Sequence, residues 1–338
     1  MNSGSVFSIS SRDSLILKGI AICAMLFHHI YACAAAEYAD LCSSTWVYVG
    51  IIGKCCVAMF LFCSGYGLAV NFNKKFYVEA DGASVLDKAR FVLKRLLKFY
   101  FNYWFIFIIF VPISIFVFNI SLNDRYGESV NIIKRLFYDL LGINYPPFNI
   151  TWWFNKLIIL LYLAFPLIFW IVKKLNWLAL IGALVINRFS CQFPEYLDPS
   201  GILFCQFAFT LGIFWNRNEE RFGQKFGNLL KRNKFDFAAI SCLLLCVTIY
   251  LRQHDIIHKF SDIRMDAFIS AAFALCTISF INKLKISNML AFLGKHSANI
   301  YLTHTFFGGY WFPNTLYNQL NFKDLCIGGG VSVCSLLK

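Results

Sequence analysis

The stretch LILKGIAICAMLFHHIYAC, residues 15–33, is nearly unbroken apolar sequence. At a rise of about 1.5 Å per residue it is long enough to cross a bilayer as one helix. It carries Lys18 in its first turn and the adjacent pair His28 and His29 deep inside. Ionisable groups at membrane depth are costly and mark functional sites. Eleven steps of about 100° carry the chain from Lys18 to His29 through three turns plus about 20°, so these two share a face and His28 lies about 80° away. A basic group near one surface and an imidazole about 16 Å further along the same face suit a reaction that spans the membrane. The competing reading is a histidine that hydrogen-bonds a neighbouring helix and holds a bundle together.

The rest of the chain has the same character. Of its 338 residues 59% are hydrophobic and 14% charged, against about 25% charged in soluble domains. This predicts an all-α polytopic membrane protein, with residues 1–338 forming a single integral domain. Apolar runs place about ten transmembrane helices at 15–34, 47–70, 97–118, 153–172, 175–190, 200–215, 235–251, 266–282, 288–311 and 322–338. The N-terminus lacks the basic segment of a cleavable signal, so the first run is expected to remain as a helix. The net charge of +13 does not point to nucleic acid, because the basic residues sit in short loops between apolar runs. With the N-terminus in the cytoplasm and the terminal Lys338 set aside, twenty of them fall on the inner side and ten on the outer, the bias expected of that orientation. The thirteen cysteines lie almost wholly within apolar runs and form neither CxxC nor zinc-ligand spacing, so no metal site is expected.

Two connections stand out. Residues 73–98 form a basic inner segment ending RFVLKRLLKFYF, either an anchor on anionic lipid or a site for a polyanionic ligand. Residues 119–150 form a long outer loop ending NYPPFNI, followed by Thr151 and the aromatics Trp152 and Trp153. Those rings suit sugar stacking, but the interfacial aromatic belt is the favoured reading. Asn149-Ile150-Thr151 also fits a glycosylation sequon, a weak pattern.

Absences narrow the chemistry. Every Asp and Glu lies in a loop or near the end of an apolar run, unlike ion-coupled transporters, which keep carboxylates at mid-membrane. There is no GxSxG elbow. His254 and His258 are four apart in a polar loop, too few ligands for a metal. What remains is a membrane-embedded imidazole, which in its neutral form can remove a proton from an attacking hydroxyl. Acyl transfer to an alcohol needs such a base, a bound donor and a group that stabilises the oxyanion. Lys18, Lys54 and Lys156 are cationic candidates, each of which can also snorkel to the surface.

Five stretches, in order, resemble the acyltransferase family 3 membrane proteins. LKGIAICAMLFHHI is similar to the family's first helix, in which a basic residue, typically Arg, is followed by His; that register falls on Lys18 and His29. GKCCVAMFLFCSGYGL resembles the second helix, with Ser64 and Gly65 at its Ser-Gly. LKRLLKFYF resembles the basic entry to the third, with Arg95 at the usual Arg. WWFNKLIILLYLAFP carries Tyr162 and Pro166, and LGKHSANIYLTHTFF places the late histidine at His304. Two positions depart from the family pattern. Lys18 stands for Arg and loses a bidentate donor, and Ala58 stands where many members have Asp. The resemblance implies a bacterial inner-membrane O-acyltransferase that takes acetyl from acetyl-CoA, or an acyl group from another acyl-CoA, as substrate with no bound cofactor. The acceptor it implies is a hydroxyl of a surface polysaccharide or lipid-linked glycan. His29 is then the general base, and Lys18, Arg95, Ser64 and His304 contact the donor or substrate. For His304 a hydrogen bond joining helices is an equal alternative. The rival from another class is a glycan or lipid transporter that performs no covalent chemistry.

Overall fold

The computed structural model describes residues 5–33, 44–78, 84–127, 131–142, 148–192, 201–232, 234–253 and 265–312. Among them twelve α-helices are found: α1 Ser11–Phe27, α2 Ser44–Gly53, α3 Cys56–Asn73, α4 Val85–Phe116, α5 Leu122–Tyr126, α6 Ile132–Leu141, α7 Trp153–Leu175, α8 Trp177–Phe189, α9 Ile202–Arg232, α10 Lys234–Gln253, α11 Asp266–Ser279 and α12 Ser287–Thr305. Five helical stretches among these residues are long and apolar enough to cross a membrane: Ser11–Ala32, Val49–Phe76, Val85–Phe116, Ile150–Leu175 and Asp236–Gln253. Outward-facing side chains such as Phe101, Phe105 and Ile108 on α4 and Leu243 and Val247 on α10 are exposed. Such faces need lipid to cover them. The chain is an all-α, multi-pass membrane protein. The expected tenth run at 322–338 and the histidines His254 and His258 lie outside the described residues.

The bundle is organised on α1 and α12. Arg12 donates to Ser287 Oγ at 2.8 Å at one end. Gly19 and Gly294 meet in the middle, where a Cβ at Gly294 would strike the Leu15 carbonyl and one at Gly19 the Leu290 carbonyl. At the other end the rings of His29 and His304 are 4.8 Å apart between centroids. Each pair is offset by 275 residues, so the two helices run parallel and in register. Glycine at the crossing lets the backbones touch, the close approach that helices in membranes use in place of a hydrophobic driving force. A capping box starts α1: Ser10 Oγ accepts from Asp13 N, and Asp13 Oδ2 accepts from Ser10 N. The pair α3 and α9 repeats the device, with Gly65 against the Phe209 carbonyl and Gly212 against that of Phe62.

Three expectations are corrected. The run at 47–70 breaks into α2 and α3 at Lys54–Cys55, where Gly53 presses on the Ala24 carbonyl and the His28 side chain. Much of the basic segment 73–98 is helix instead of loop, because Ser84 and Asp87 form a second capping box and α4 starts at Val85. Trp152 does not sit in an interfacial belt. Its side chain is buried, its indole N–H donates to Leu302 O at 3.1 Å, and its ring packs on Tyr103, Phe107 and Phe306. In this fold Asn149 is also fully buried, so the sequon is inaccessible.

The run at 200–215 continues beyond its apolar part as the polar half of α9. There Tyr66 OH donates to Glu219 Oε2 at 2.8 Å, and Ile9 N–H donates to the same phenol oxygen at 3.0 Å. Trp215 adds an indole bond to Phe7 O at 2.9 Å. The N-terminal segment is thus tied down over α3 and α9. Burial pushes the Glu219 carboxyl up to about 7, with the Tyr66 hydrogen bond opposing the shift. A folded-state value above the unfolded one means that the native state holds the proton more tightly. Stability therefore falls as pH rises from about 4.5, the ordinary value, to about 7, and the full penalty persists above that window. Glu219→Gln removes it: in detergent the variant is expected to melt several degrees above wild type at pH 8 and level with it at pH 5, read as Tm at both values.

Candidate active site

His29 and His304 form the centre. Each comes from the same end of the parallel pair, and each is half-buried. Both helices widen into π-helical turns there, His28–Cys33 after α1 and Phe306–Trp311 after α12. Such turns recur at functional sites. His28 is directed elsewhere: its Nδ1 donates to Gly50 O at 2.9 Å, fastening α1 to α2. The rotation between the two histidines read from the sequence thus separates a tethering ring from one that faces His304.

Five hydrogen bonds fix His304 and its neighbours. Its Nδ1 donates to Tyr301 O at 2.8 Å, a bond within its own helix instead of one joining helices. Its Nε2 lies 3.3 Å from Thr305 Oγ1. Thr305 Oγ1 is 2.9 Å from Thr151 Oγ1, which lies 2.7 Å from Asn149 Oδ1. Tyr301 OH, donating to Thr151 O at 2.6 Å, clamps the same segment to α12. The described residues of the connection between α4 and α7 form the short helices α5 and α6 beside the pair. In α6 the buried Asp139 accepts from Tyr126 OH at 2.7 Å, and burial raises its carboxyl to about 6.

The remaining candidates lie deeper. Lys18 is half-buried, and among the described residues it has no hydrogen-bond or ion-pair partner; it acts electrostatically on Cys63 of α3. Ser64 is the next residue of α3. It is eleven residues beyond Gly53, which packs at the level of His28, and so lies about 16 Å below the histidines. Arg95 donates to Tyr162 OH at 3.3 Å and lies over that ring at 5.3 Å. Tyr162 is ten residues, about 15 Å, along α7 from Trp152, which bonds Leu302 beside the pair. Lys18, Ser64 and Arg95 thus share one layer, and His29 and His304 share another about 15 Å away. Lys54 lies at the α2–α3 break, within electrostatic reach of His28. Lys156 is in the first turn of α7, and no described contact joins it to the histidines.

Arg252 and Asp266 escaped sequence reading. Arg252 Nε donates to Asp266 Oδ1 at 2.5 Å with both side chains buried, and another guanidinium N–H donates to Ile51 O at 3.1 Å. Ile51 follows the Gly50 that holds His28, so the ion pair braces the floor beneath the histidines. Each residue sits at a helix end beside a polar loop, where charge reads as solvated. A buried partner for each was the missing information. Among the described residues no three His, Cys, Asp or Glu side chains gather as metal ligands.

A polytopic helical bundle with a half-buried imidazole pair at one end and a half-buried cation below it has the parts of a membrane-embedded group-transfer enzyme. The chain belongs to the family whose model is described as an acyltransferase domain, which matches residues 15–337. No curated protein and no solved structure matches it. The protein is therefore a membrane acyltransferase.

Proposed function

We propose that the protein transfers acetyl from acetyl-CoA to a hydroxyl of a surface polysaccharide or lipid-linked glycan, in a bacterial inner membrane with its N-terminus in the cytoplasm. The observation that carries this reading is the separation of two layers: cations at the level of Lys18 and Arg95, and the imidazole pair His29–His304 about 15 Å away. An extended donor bound through its charged part in the first layer reaches the second with its thioester. There the acceptor oxygen attacks the thioester carbon as His29 takes the hydroxyl proton. The C–O bond forms, the C–S bond breaks, and the proton passes to the departing thiolate. A general base in this position is worth about 10²–10⁴ in rate.

Lys18 supports the donor role because a half-buried cation without a partner among the described residues is satisfied by an anionic or carbonyl oxygen of a ligand. Lys18→Gln is expected to raise KM for acetyl-CoA about tenfold with kcat nearly unchanged, the signature of lost uniform binding; initial rates against donor concentration measure it. The reading itself is tested with membranes given radiolabelled acetyl-CoA and a glycan extract. Protein-dependent acetyl label in the glycan supports it. Glycan moved across the membrane without covalent label overturns it in favour of a transporter.

A further inference from the structure

The bonds around His304 admit a stricter accounting of protons. Tyr301 O only accepts, so Nδ1 of His304 carries a proton in either charge state. Asn149 Oδ1 is fixed as an acceptor by the Thr151 backbone N–H, 3.1 Å away. Between these ends lie two hydroxyls with one proton each. With His304 neutral, Thr305 donates to Nε2 and Thr151 donates to Asn149 Oδ1, so no proton lies between the two threonine oxygens. With His304 as imidazolium, Nε2 donates to Thr305, Thr305 to Thr151 and Thr151 to Asn149 Oδ1. Each link in the second arrangement uses the same contacts, at 3.3, 2.9 and 2.7 Å.

We infer that Asn149, Thr151 and Thr305 are positioning residues: a hydroxyl relay, anchored by the Thr151 bond to Asn149 Oδ1, in which Thr305 turns from donor to acceptor and leaves His304 fully hydrogen-bonded whether neutral or charged. The inference rests on the reading of His29 as general base. The His304 ring lies 4.8 Å from that of His29 between centroids, and a proton that passes from His29 to His304 on its way to the thiolate finds the Thr305 hydroxyl as its acceptor. Rotating hydroxyls adjust without moving backbone, so the rings keep their spacing through the cycle. A fixed carbonyl beside Nε2 would serve only the charged form, and an amide N–H only the neutral one.

Valine replaces threonine with nearly the same shape and no hydroxyl, whereas serine keeps the hydroxyl. Thr305→Val and Thr151→Val are expected to lower kcat about tenfold with KM for acetyl-CoA unchanged, and Thr305→Ser and Thr151→Ser to stay within about twofold of wild type. Nitrogen-15 spectra of histidine-labelled protein in detergent provide a readout independent of turnover. The Nε2 signal of His304, identified by its loss in His304→Gln, is expected to move in Thr305→Val and hold its place in Thr305→Ser. Equal loss of kcat in the valine and serine variants, or an Nε2 signal unmoved by Thr305→Val, overturns the relay. If wild type transfers no acetyl, the functional reading fails, while the nitrogen signals still decide the relay.

Discussion

Gly294→Leu is expected to leave little folded protein. The Cβ alone would collide with the Leu15 carbonyl and the backbone of Gly19, and backbone on the facing helix cannot rotate aside as a side chain can. Either α12 moves away along its whole length or the pair fails to form. The first outcome separates His29 from His304, which are held together by this crossing and by the Arg12 bonds to Ser287 and Asn288. Overpacking a core ordinarily costs about 1–3 kcal/mol; a backbone-to-backbone crossing has less room to yield, so the expected cost is higher. Gly182 on α8 is the control. It is exposed, and a Cβ there meets nothing within 4 Å, so Gly182→Leu should be extracted and melt as wild type does. Monodisperse yield and Tm in detergent check both. A Gly294→Leu protein that behaves like Gly182→Leu would show that the α1–α12 crossing does not have this geometry.

His29→Ala is expected to lower acyl transfer by about 10²–10⁴-fold, about 3–5 kcal/mol of transition-state stabilisation, with little change in Tm. The ring is half-buried and its described neighbours are two other imidazoles, so its removal opens the site without stripping a scaffold bond. His28 should behave in the opposite way. Its hydrogen bond to Gly50 O ties α1 to α2, so His28→Ala is expected to lower Tm more than kcat. Measuring rate and Tm for both variants distinguishes chemistry from tethering at adjacent positions of one helix.

Much of this arrangement could be read from the chain. A long apolar run with Lys18 and His29 in phase was enough to place both on one face and to set them apart from His28, and the structure points His29 at His304 and His28 at Gly50. Partnership over distance could not be read. Nothing local to 12–29 shows that it lies in register with 287–304, since that depends on how the ten described helices between them pack. The start of α4 was visible in principle, as Ser84 and Asp87 have capping-box spacing, but the charges that follow resemble a solvated loop. Trp152 misled for a different reason. An indole suits an interface and a buried hydrogen bond equally well, and only the Leu302 carbonyl decides between them. Arg252 and Asp266 look like loop charges until the two helix ends meet.

The central claim is that His29 is the base of a membrane acyltransferase, and the most direct test is acyl transfer by purified protein in lipid. Wild type and His29→Ala, matched in amount and Tm, receive radiolabelled acetyl-CoA and a glycan extract. Labelled glycan from wild type with none above background from the variant is the predicted result. Equal labelling by the two proteins would contradict it.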